Sequence, residues 1–390
     1  MRLQFTLYLL IPLLLLSAPG VLAIDSNLTL EGKKIALSQY FSTLPVRESP
    51  YADWRGVHPL SEAQSKVINH YRFDYDQQQR LIQISFKNDK RLLAPNHSAN
   101  YFFLSSVITF DYGNNEEVRK FYNVNAKPMT VRGDVFSKHF ELNLLGYRTG
   151  LSFKDKQGLA INNSWGIASY MWQLEADGSV IEKRSNLKGE AVSIRPGFDF
   201  QTIRLRYDPK GWLAVMSVID PKTGDIINNG EGVAQDKLEF STEGHMLAWN
   251  VLDANNKLKA GNGPGVARGI QSFNEQGYES GIRYENAQGK PIQNSYGWWG
   301  TERFYDSKGN MLQQNFVDKN SQITIVENFG YASYKRKYDA QDNLSAIEFF
   351  DTNGQLVNRA DNGVARIKYT YKDNMRVSTK RFNISNQLIQ

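Results

Sequence analysis

Polar turns occur at regular intervals along the chain and separate stretches in which apolar and polar residues alternate. Most of these turns pair Asp, Asn or Ser with a glycine three positions later. The glycines follow one another at steps of 33, 33 and 32 residues, and the series extends toward the N-terminus: Gly309, Gly277, Gly244, Gly211, Gly178, Gly146 and Gly113. A side-chain oxygen at the first position caps such a turn, and glycine accepts the left-handed backbone that closes a hairpin. The pattern therefore predicts one antiparallel hairpin in each unit.

Two further features recur in each unit. A second turn follows the first after about 12 residues, at 155–158, 286–289 and 351–354, and a longer version lies at 220–224. A third glycine precedes a small apolar pair at 232–234, 265–267, 330–332 and 363–365. The residue seven places after the first turn glycine is apolar in most units, forming a column interrupted by Ser185: Phe153, Val218, Val251, Tyr284, Phe316 and Phe349.

These features predict an all-β repeat protein of about ten units of roughly 33 residues, built as stacked antiparallel hairpins. An even number of strands per unit is needed, because equivalent residues then share one environment. A β-propeller is the main alternative, but its blades need about 40 or more residues and rarely exceed eight. A parallel solenoid is a second alternative, although it accommodates repeated hairpin turns poorly.

The N-terminal part of the chain has a different pattern. Ser61 and Gln64 form a capping-box sequence, which predicts a helix over 61–72, and a second helix is predicted over 31–41. We therefore expect a small N-terminal helical cap at 24–72 and a β-hairpin repeat domain at 73–390. A cap of this kind would cover the apolar end of an open stack.

The first 23 residues have the three parts of a signal peptide. Arg2 precedes an apolar run at 7–16, and small residues at 21–23 form a cleavage site. We expect an exported protein, periplasmic or secreted, without a transmembrane segment after cleavage; an uncleaved anchor is the alternative. Cysteine is absent, so disulfides, cysteine metal sites and a lipoprotein anchor are excluded.

The stretch 305–310, Tyr-Asp-Ser-Lys-Gly-Asn, followed by Asp318 and by Gly-Tyr-Ala at 330–332, resembles the tandem Y-D-x-x-G-N repeats of exported bacterial proteins. It is distantly similar to YD repeats of Rhs-type proteins and to WG and MORN-variant repeats. The resemblance covers roughly 73–390 and is specific from about 205 onward. Asp342, Asn256 and Ser321 depart from it by replacing turn glycines. It implies a β-rich surface or periplasmic architecture of a bacterial cell envelope and no shared catalytic residue.

The positive charge is concentrated at the C-terminal end. The whole chain has a formal net charge of +6, and the residues from 359 onward contribute seven bases against two acids. The predicted electrostatic patch consists of Arg366, Lys368, Lys372, Arg376, Lys380 and Arg381. Such a patch favours an acidic polysaccharide, lipid head groups or nucleic acid as partner. The alternative, which we favour, is that these charges protect a final edge strand from pairing.

Motifs of catalysis or metal binding are absent from the sequence. The five histidines have no ligand spacing, so we expect no metal site and no cofactor. Most acids occupy turn positions, where capping explains them; calcium at these turns is an alternative without the spacing of a dedicated loop. A glycosidase would need two converging carboxylates from the remaining acids, for example Glu117, Glu182, Glu239 or Glu302.

Tryptophans are the main irregularity of the repeat. Trp298 and Trp299 stand where other units have a small apolar pair, and on a strand they point to opposite faces. An exposed indole can stack on a sugar ring or a partner side chain, so we predict ligand binding by Trp298, Trp299, Trp165 and Trp249. Filling of the hairpin stack is the alternative role.

The sequence thus favours a non-enzymatic envelope protein that binds or scaffolds a polysaccharide or a protein, with nucleic acid excluded as a partner. A carbohydrate-active hydrolase using a carboxylate pair is one alternative. An envelope assembly factor that joins a partner by edge-strand pairing is another.

Overall fold

The computed structural model describes residues 27–46, 49–95, 104–194, 200–261 and 263–389. The predicted signal peptide lies outside the described residues. Within them, 24 strands form one antiparallel sheet, and the helix α1 (Glu62–Ser65) is a single turn. No helix of the described residues is long and apolar enough to cross a membrane.

The strands of the first half are β1 (Leu37–Thr43), β2 (Val57–Leu60), β3 (His70–Tyr75), β4 (Leu81–Asn88), β5 (Arg91–Leu92), β6 (Val107–Gly113), β7 (Glu116–Tyr122), β8 (Ser137–Leu142), β9 (Arg148–Lys154), β10 (Ser169–Leu174), β11 (Val180–Ser185) and β12 (Thr202–Tyr207). Those of the second half are β13 (Leu213–Val218), β14 (Gln235–Phe240), β15 (Met246–Leu252), β16 (Arg268–Phe273), β17 (Glu279–Glu285), β18 (Gly300–Tyr305), β19 (Met311–Val317), β20 (Ser333–Tyr338), β21 (Leu344–Phe350), β22 (Arg366–Lys372), β23 (Met375–Phe382) and β24 (Leu388–Ile389).

Successive hairpins build the sheet, which confirms the predicted fold class. Ten hairpins run through the described residues from β3–β4 to β22–β23, each pairing on both sides with its neighbours. β1 lies between β2 and β3, so the sheet continues into the N-terminal region. Most adjacent hairpins share short ladders, such as the three residue pairs between β15 and β16.

The turn chemistry follows the prediction in most units. The Asp306 carboxylate accepts hydrogen bonds from the backbone N–H of Lys308 and Asn310 at 2.9 and 2.8 Å, and Gly309 has a φ of +92°. Where glycine is replaced, the substitute adopts the same left-handed conformation, as Asp342 does with a φ of 59°. Gly113 is the exception, because it belongs to β6 and Asn115 supplies the positive φ of that turn.

The apolar column is buried under the connectors between hairpins. Phe153, Val251, Phe316 and Phe349 are all at most 4% exposed. In most units the residue eight positions after the column residue donates its backbone N–H to that residue's carbonyl, as Val357 does to Phe349 at 3.0 Å. The connector therefore folds back over the column, which is how a single sheet buries its apolar face.

The N-terminal region contains less helix than predicted. The capping box at Ser61 is present, with reciprocal bonds to Gln64, but α1 ends at Ser65 because β3 begins at His70. The helix predicted over 31–41 is wrong: Leu37–Thr43 is the strand β1, which bonds to the edge of β3. Edge pairing in the sheet outweighs the local helical pattern here.

The long sheet coils, so that the tips of later hairpins contact the N-terminal region and the early hairpins. The backbone N–H of Asn69 donates to the carbonyl of Lys308 at 2.8 Å. Arg91 bonds to Asp342 at 2.5 Å, and the Asn125 amide donates to the carbonyl of Asp373 at 2.8 Å. The partners are separated by 239 to 251 positions, so corresponding parts of successive coil turns contact one another.

Candidate functional site

Residues 49–58, here called the strap, cross the coil and touch several hairpins. The strap carbonyl of Tyr51 accepts a bond from Arg148 at 2.6 Å, and the Tyr51 ring packs on Trp172 with centroids 5.6 Å apart. Arg55 donates to the carbonyl of Lys210 at 2.5 Å. Trp54 is 7% exposed and belongs to the largest apolar cluster. The strap therefore joins parts of the repeat that are distant in sequence.

A buried ion network lies beside the strap. Glu117 bonds to Arg119 at 2.5 Å and to Arg148 at 2.7 Å, and Arg148 also bonds to Asp53 of the strap at 2.5 Å. The Glu117, Arg119 and Arg148 side chains are at most 7% exposed. Burial by itself would raise the pKa of Glu117, but the two guanidiniums lower it to about 2. The network therefore stays ionised across the neutral range.

A second buried carboxylate lies under the other end of the strap. Glu182 accepts bonds from the Trp172 indole at 2.8 Å and from the hydroxyl of Ser49. Arg184 lies 3.3 Å from it, and both charged side chains are fully buried. Glu182 thereby anchors Ser49 of the strap to the sheet.

The carboxylates considered for a hydrolase all have a cationic partner. Besides Glu117 and Glu182, Glu239 lies 3.8 Å from Arg268 and Glu302 lies 2.9 Å from Arg283. The general acid of a glycosidase needs a raised pKa. The lowered pKa of Glu117 is opposite to that requirement.

The structure separates the four candidate tryptophans. Trp298 is half-buried against the C-terminal apolar cluster of Phe316, Val326, Tyr331, Phe349 and Val364. Its ring lies 5.2 Å from those of Tyr296 and Phe316. Trp249 is half-buried over Gly269, and both Trp249 and Trp298 contact the small cluster around Val266. Packing explains these two indoles.

Trp299 and Trp165 have different surroundings. Trp299 is partly buried, as Trp298 is, and it takes the place of an alanine that is fully buried in other units, such as Ala332. Trp165 lines a cavity of about 120 Å³ between the strap and hairpins, together with Trp54 and two cations, Arg132 and Lys138. All four indoles are partly buried, and what distinguishes Trp165 is the adjoining cavity.

The basic patch lies on the last hairpin. Lys368 stands directly opposite Lys380 in the ladder, and both are exposed. Lys372, Arg376 and Arg381 are exposed as well, whereas Arg366 bonds to Glu348 at 2.7 Å. Like charges placed opposite each other destabilise a ladder. The register therefore sets two like charges opposite each other, and the Lys368 ammonium lies 5.4 Å from the centre of the Phe382 ring.

One cluster of potential metal ligands was missed by the sequence analysis. His58 of the strap lies 2.8 Å from the Glu243 carboxylate, and His245 lies 3.9 Å from the same oxygen. Burial, with a further contribution from His58, lowers the pKa of His245 despite the opposing bond to the Gly277 carbonyl. Of the three residues, only Glu243 and His245 are close enough in sequence for their spacing to suggest a shared site. His97 lies outside the described residues, and His139 lies 2.8 Å from the carboxylate of Glu116.

Comparison with known proteins does not identify a family. No protein-family model matches the chain, and no curated protein matches it. A crystal structure of TcdB2-TccC3 aligns at 12% identity and a TM-score of 0.31, over 83% of this chain and 15% of that chain. One of TcdB2-TccC3-TEV aligns at 10% identity and a TM-score of 0.25, over 80% of this chain and 17% of that one. The chain thus spans less than a fifth of these relatives, and its description rests on its own architecture: an all-β protein of coiled, stacked hairpins.

Proposed function

We propose that this chain is a non-enzymatic, exported scaffold of a bacterial cell envelope that binds an acidic polysaccharide. The observation that carries the proposal is the exposed pair Lys368 and Lys380, which the ladder of β22 and β23 holds face to face. Repulsion between the two ammonium groups costs stability in the free protein. A carboxylate-bearing polymer would relieve it while also meeting the neighbouring cations.

Aromatic contacts support a sugar polymer as the ligand. The guanidinium of Arg376 lies 5.3 Å from the ring of Tyr369 on the same hairpin. Elsewhere, Trp299 is partly buried, and Trp165 lines the cavity next to Arg132. Aromatic faces beside cations suit sugar rings that carry carboxylates. In this proposal Trp299 and Trp165 contact ligand, while Trp298 and Trp249 stabilise the fold.

Neutralising the facing lysines should weaken binding without harming the fold. We expect Lys368→Gln with Lys380→Gln to reduce affinity for polygalacturonate at least about tenfold at low salt, since attraction between exposed charges is screened by ions. The same double variant should unfold at an equal or higher urea concentration than the wild type, because a repulsive pair is removed. Isothermal titration and urea unfolding measure the two effects.

The control removes two exposed lysines from turns elsewhere, Lys188→Gln with Lys319→Gln. It should bind polygalacturonate as the wild type does, and Trp299→Ala should bind it more weakly. A neutral glucan serves as the control polymer and should not bind. If the two lysine double variants bound polygalacturonate equally well, Lys368 and Lys380 would not form the binding site.

Edge pairing is a second candidate function, favoured by the outer side of β23. Among the described residues, β24 pairs only with Arg381 and Phe382, so no strand covers the outer edge from 375 to 380. An uncovered edge offers backbone donors and acceptors to another strand. In the purified protein that strand would come from a second copy.

A pair of neighbouring proline variants tests edge pairing. Backbone N–H groups of a strand point alternately to its two sides. Of Ser378→Pro and Thr379→Pro, one therefore removes an N–H on the uncovered side of β23, and we call it the outward variant. The other removes an N–H that bonds to β22. We expect the wild type to dimerise with rising concentration, and the outward variant to stay folded and monomeric. Sedimentation velocity measures mass. A wild type that is monomeric at every concentration contradicts this function.

A further inference from the structure

We propose that His58, Glu243 and His245 bind a Zn²⁺ ion that joins the strap to the tip of the β14–β15 hairpin. One ring nitrogen from each histidine and one Glu243 oxygen lie within 4.8 Å of one another. Zinc–nitrogen bonds of about 2.0–2.1 Å place tetrahedral ligand atoms roughly 3.3 Å apart. Small side-chain rotations close this difference, and the Glu243 side chain, 52% exposed, is free to make them.

The hydrogen bonding of His245 leaves a lone pair directed at the cluster. Its Nε2 lies 3.1 Å from the carbonyl oxygen of Gly277, which can only accept a bond. Nε2 therefore carries the proton in the neutral ring, and the lone pair is on Nδ1, which lies 3.9 Å from a Glu243 oxygen and 3.4 Å from the Ser241 hydroxyl. Metal-binding histidines are commonly oriented in this way, by donating the other ring N–H to a backbone carbonyl.

The turn at Gly277 also positions His58. The ring of His58 packs so closely that a Cβ added at Gly277 would lie 2.4 Å from its Cγ. His58 has a φ of 57°, which is uncommon for a residue other than glycine, and its N–H bonds to the carbonyl of Glu243 at 3.3 Å. Both rings are thus held by the same turn before any ion binds.

The ligand set fits zinc and explains what the ion would do. Two imidazoles and a carboxylate are ligands that zinc prefers, and a water molecule can complete a tetrahedron. His58 and Glu243 are 185 positions apart, so the ion would link the strap to a hairpin that the repeat alone does not connect to it. An ion bound only by the folded state stabilises that state.

Metal titration of the full chain, stripped with a chelator, tests the proposal. We expect one equivalent of Co²⁺ to give visible ligand-field bands, and Zn²⁺ to displace it. His58→Ala, Glu243→Gln and His245→Ala should each weaken Zn²⁺ binding at least about tenfold. Zn²⁺ should raise the thermal unfolding midpoint of the wild type and leave that of the variants unchanged.

His139→Ala is the matched control, because His139 also pairs with a glutamate, Glu116, at 2.8 Å but belongs to no three-residue ligand cluster among the described residues. It should retain wild-type Zn²⁺ affinity. Glu243→Gln removes an exposed carboxylate and should keep the wild-type circular dichroism, so loss of binding there reports on ligation and not on folding. A wild type that gives no ligand-field bands, or a Glu243→Gln variant that binds like the wild type, would overturn the site.

Discussion

Replacing Arg148 by Met should destabilise the protein by roughly 3–5 kcal/mol, because buried Glu117 loses one of its two guanidinium partners and the strap loses its bonds to Arg148. Arg148 bonds to Glu117 at 2.7 Å and to the strap at Tyr51 and Asp53. The variant therefore loses both an ion pair and the anchor of the strap. Urea unfolding followed by tryptophan fluorescence measures the change in the free energy of unfolding.

The control is Arg206→Met, which removes an ion pair with Asp177 at 3.8 Å between side chains that are about half exposed. Exposed pairs contribute roughly 0–1 kcal/mol, so its unfolding midpoint should scarcely move. Equal losses from the two substitutions would show that the buried network has no special role in stability.

The same network makes stability depend on pH. The pKa of Glu117 is lowered in the folded protein from 4.5 to about 2. A carboxylate with a depressed folded pKa stabilises the protein above its unfolded pKa, and that stabilisation is lost as pH falls toward the folded value. The wild type should therefore lose stability between pH 4.5 and 2, and Arg148→Met should lose less over that interval, since the pKa of Glu117 rises when a guanidinium is removed.

Replacing Phe316 by Ala should cost roughly 3–5 kcal/mol through the cavity it leaves. Phe316 is 3% exposed, and its ring lies 5.2 Å from that of Trp298 and 5.6 Å from that of Tyr331. Because units of a repeat protein contact mainly their neighbours, the damage should be local. Hydrogen exchange should show lost protection in β18–β21 and retained protection in the early hairpins.

Phe304→Ala is the matched control, since Phe304 belongs to the same hairpin but is 48% exposed. It should change the free energy of unfolding by about 0.5 kcal/mol or less. If both phenylalanines cost the same, the apolar column is not what stabilises the stack.

Turn positions were predictable from sequence because their chemistry is local. An Asx side chain bonds to backbone groups two and four residues later, so Asp306 indicates its own turn without help from the rest of the chain. Asp and Asn also tolerate the left-handed backbone, so Asp342 takes the position where glycine was expected. The predicted turn glycine was wrong at Gly113, because residues 114 and 115 form a tighter turn. The positive φ of that turn therefore falls on Asn115.

The N-terminal region was less predictable, since its strands depend on a distant partner edge. A helical pattern over 31–41 competes with the open edge of β3, and the ladder from Leu37 to Phe41 satisfies backbone groups that a helix would have left unpaired on that edge. The capping box at Ser61 was recognised correctly, because its bonds span only three residues.

The sequence by itself determined the hairpin unit, its repetition and the buried column, because each depends on residues within one unit or its neighbour. Only the tertiary structure decided that the sheet coils, that the strap pairs with Arg148, and that His58 meets Glu243 and His245. Those contacts join residues about 95 to 250 positions apart. No local pattern encodes them, since they follow from the small rotation that accumulates from each hairpin to the next.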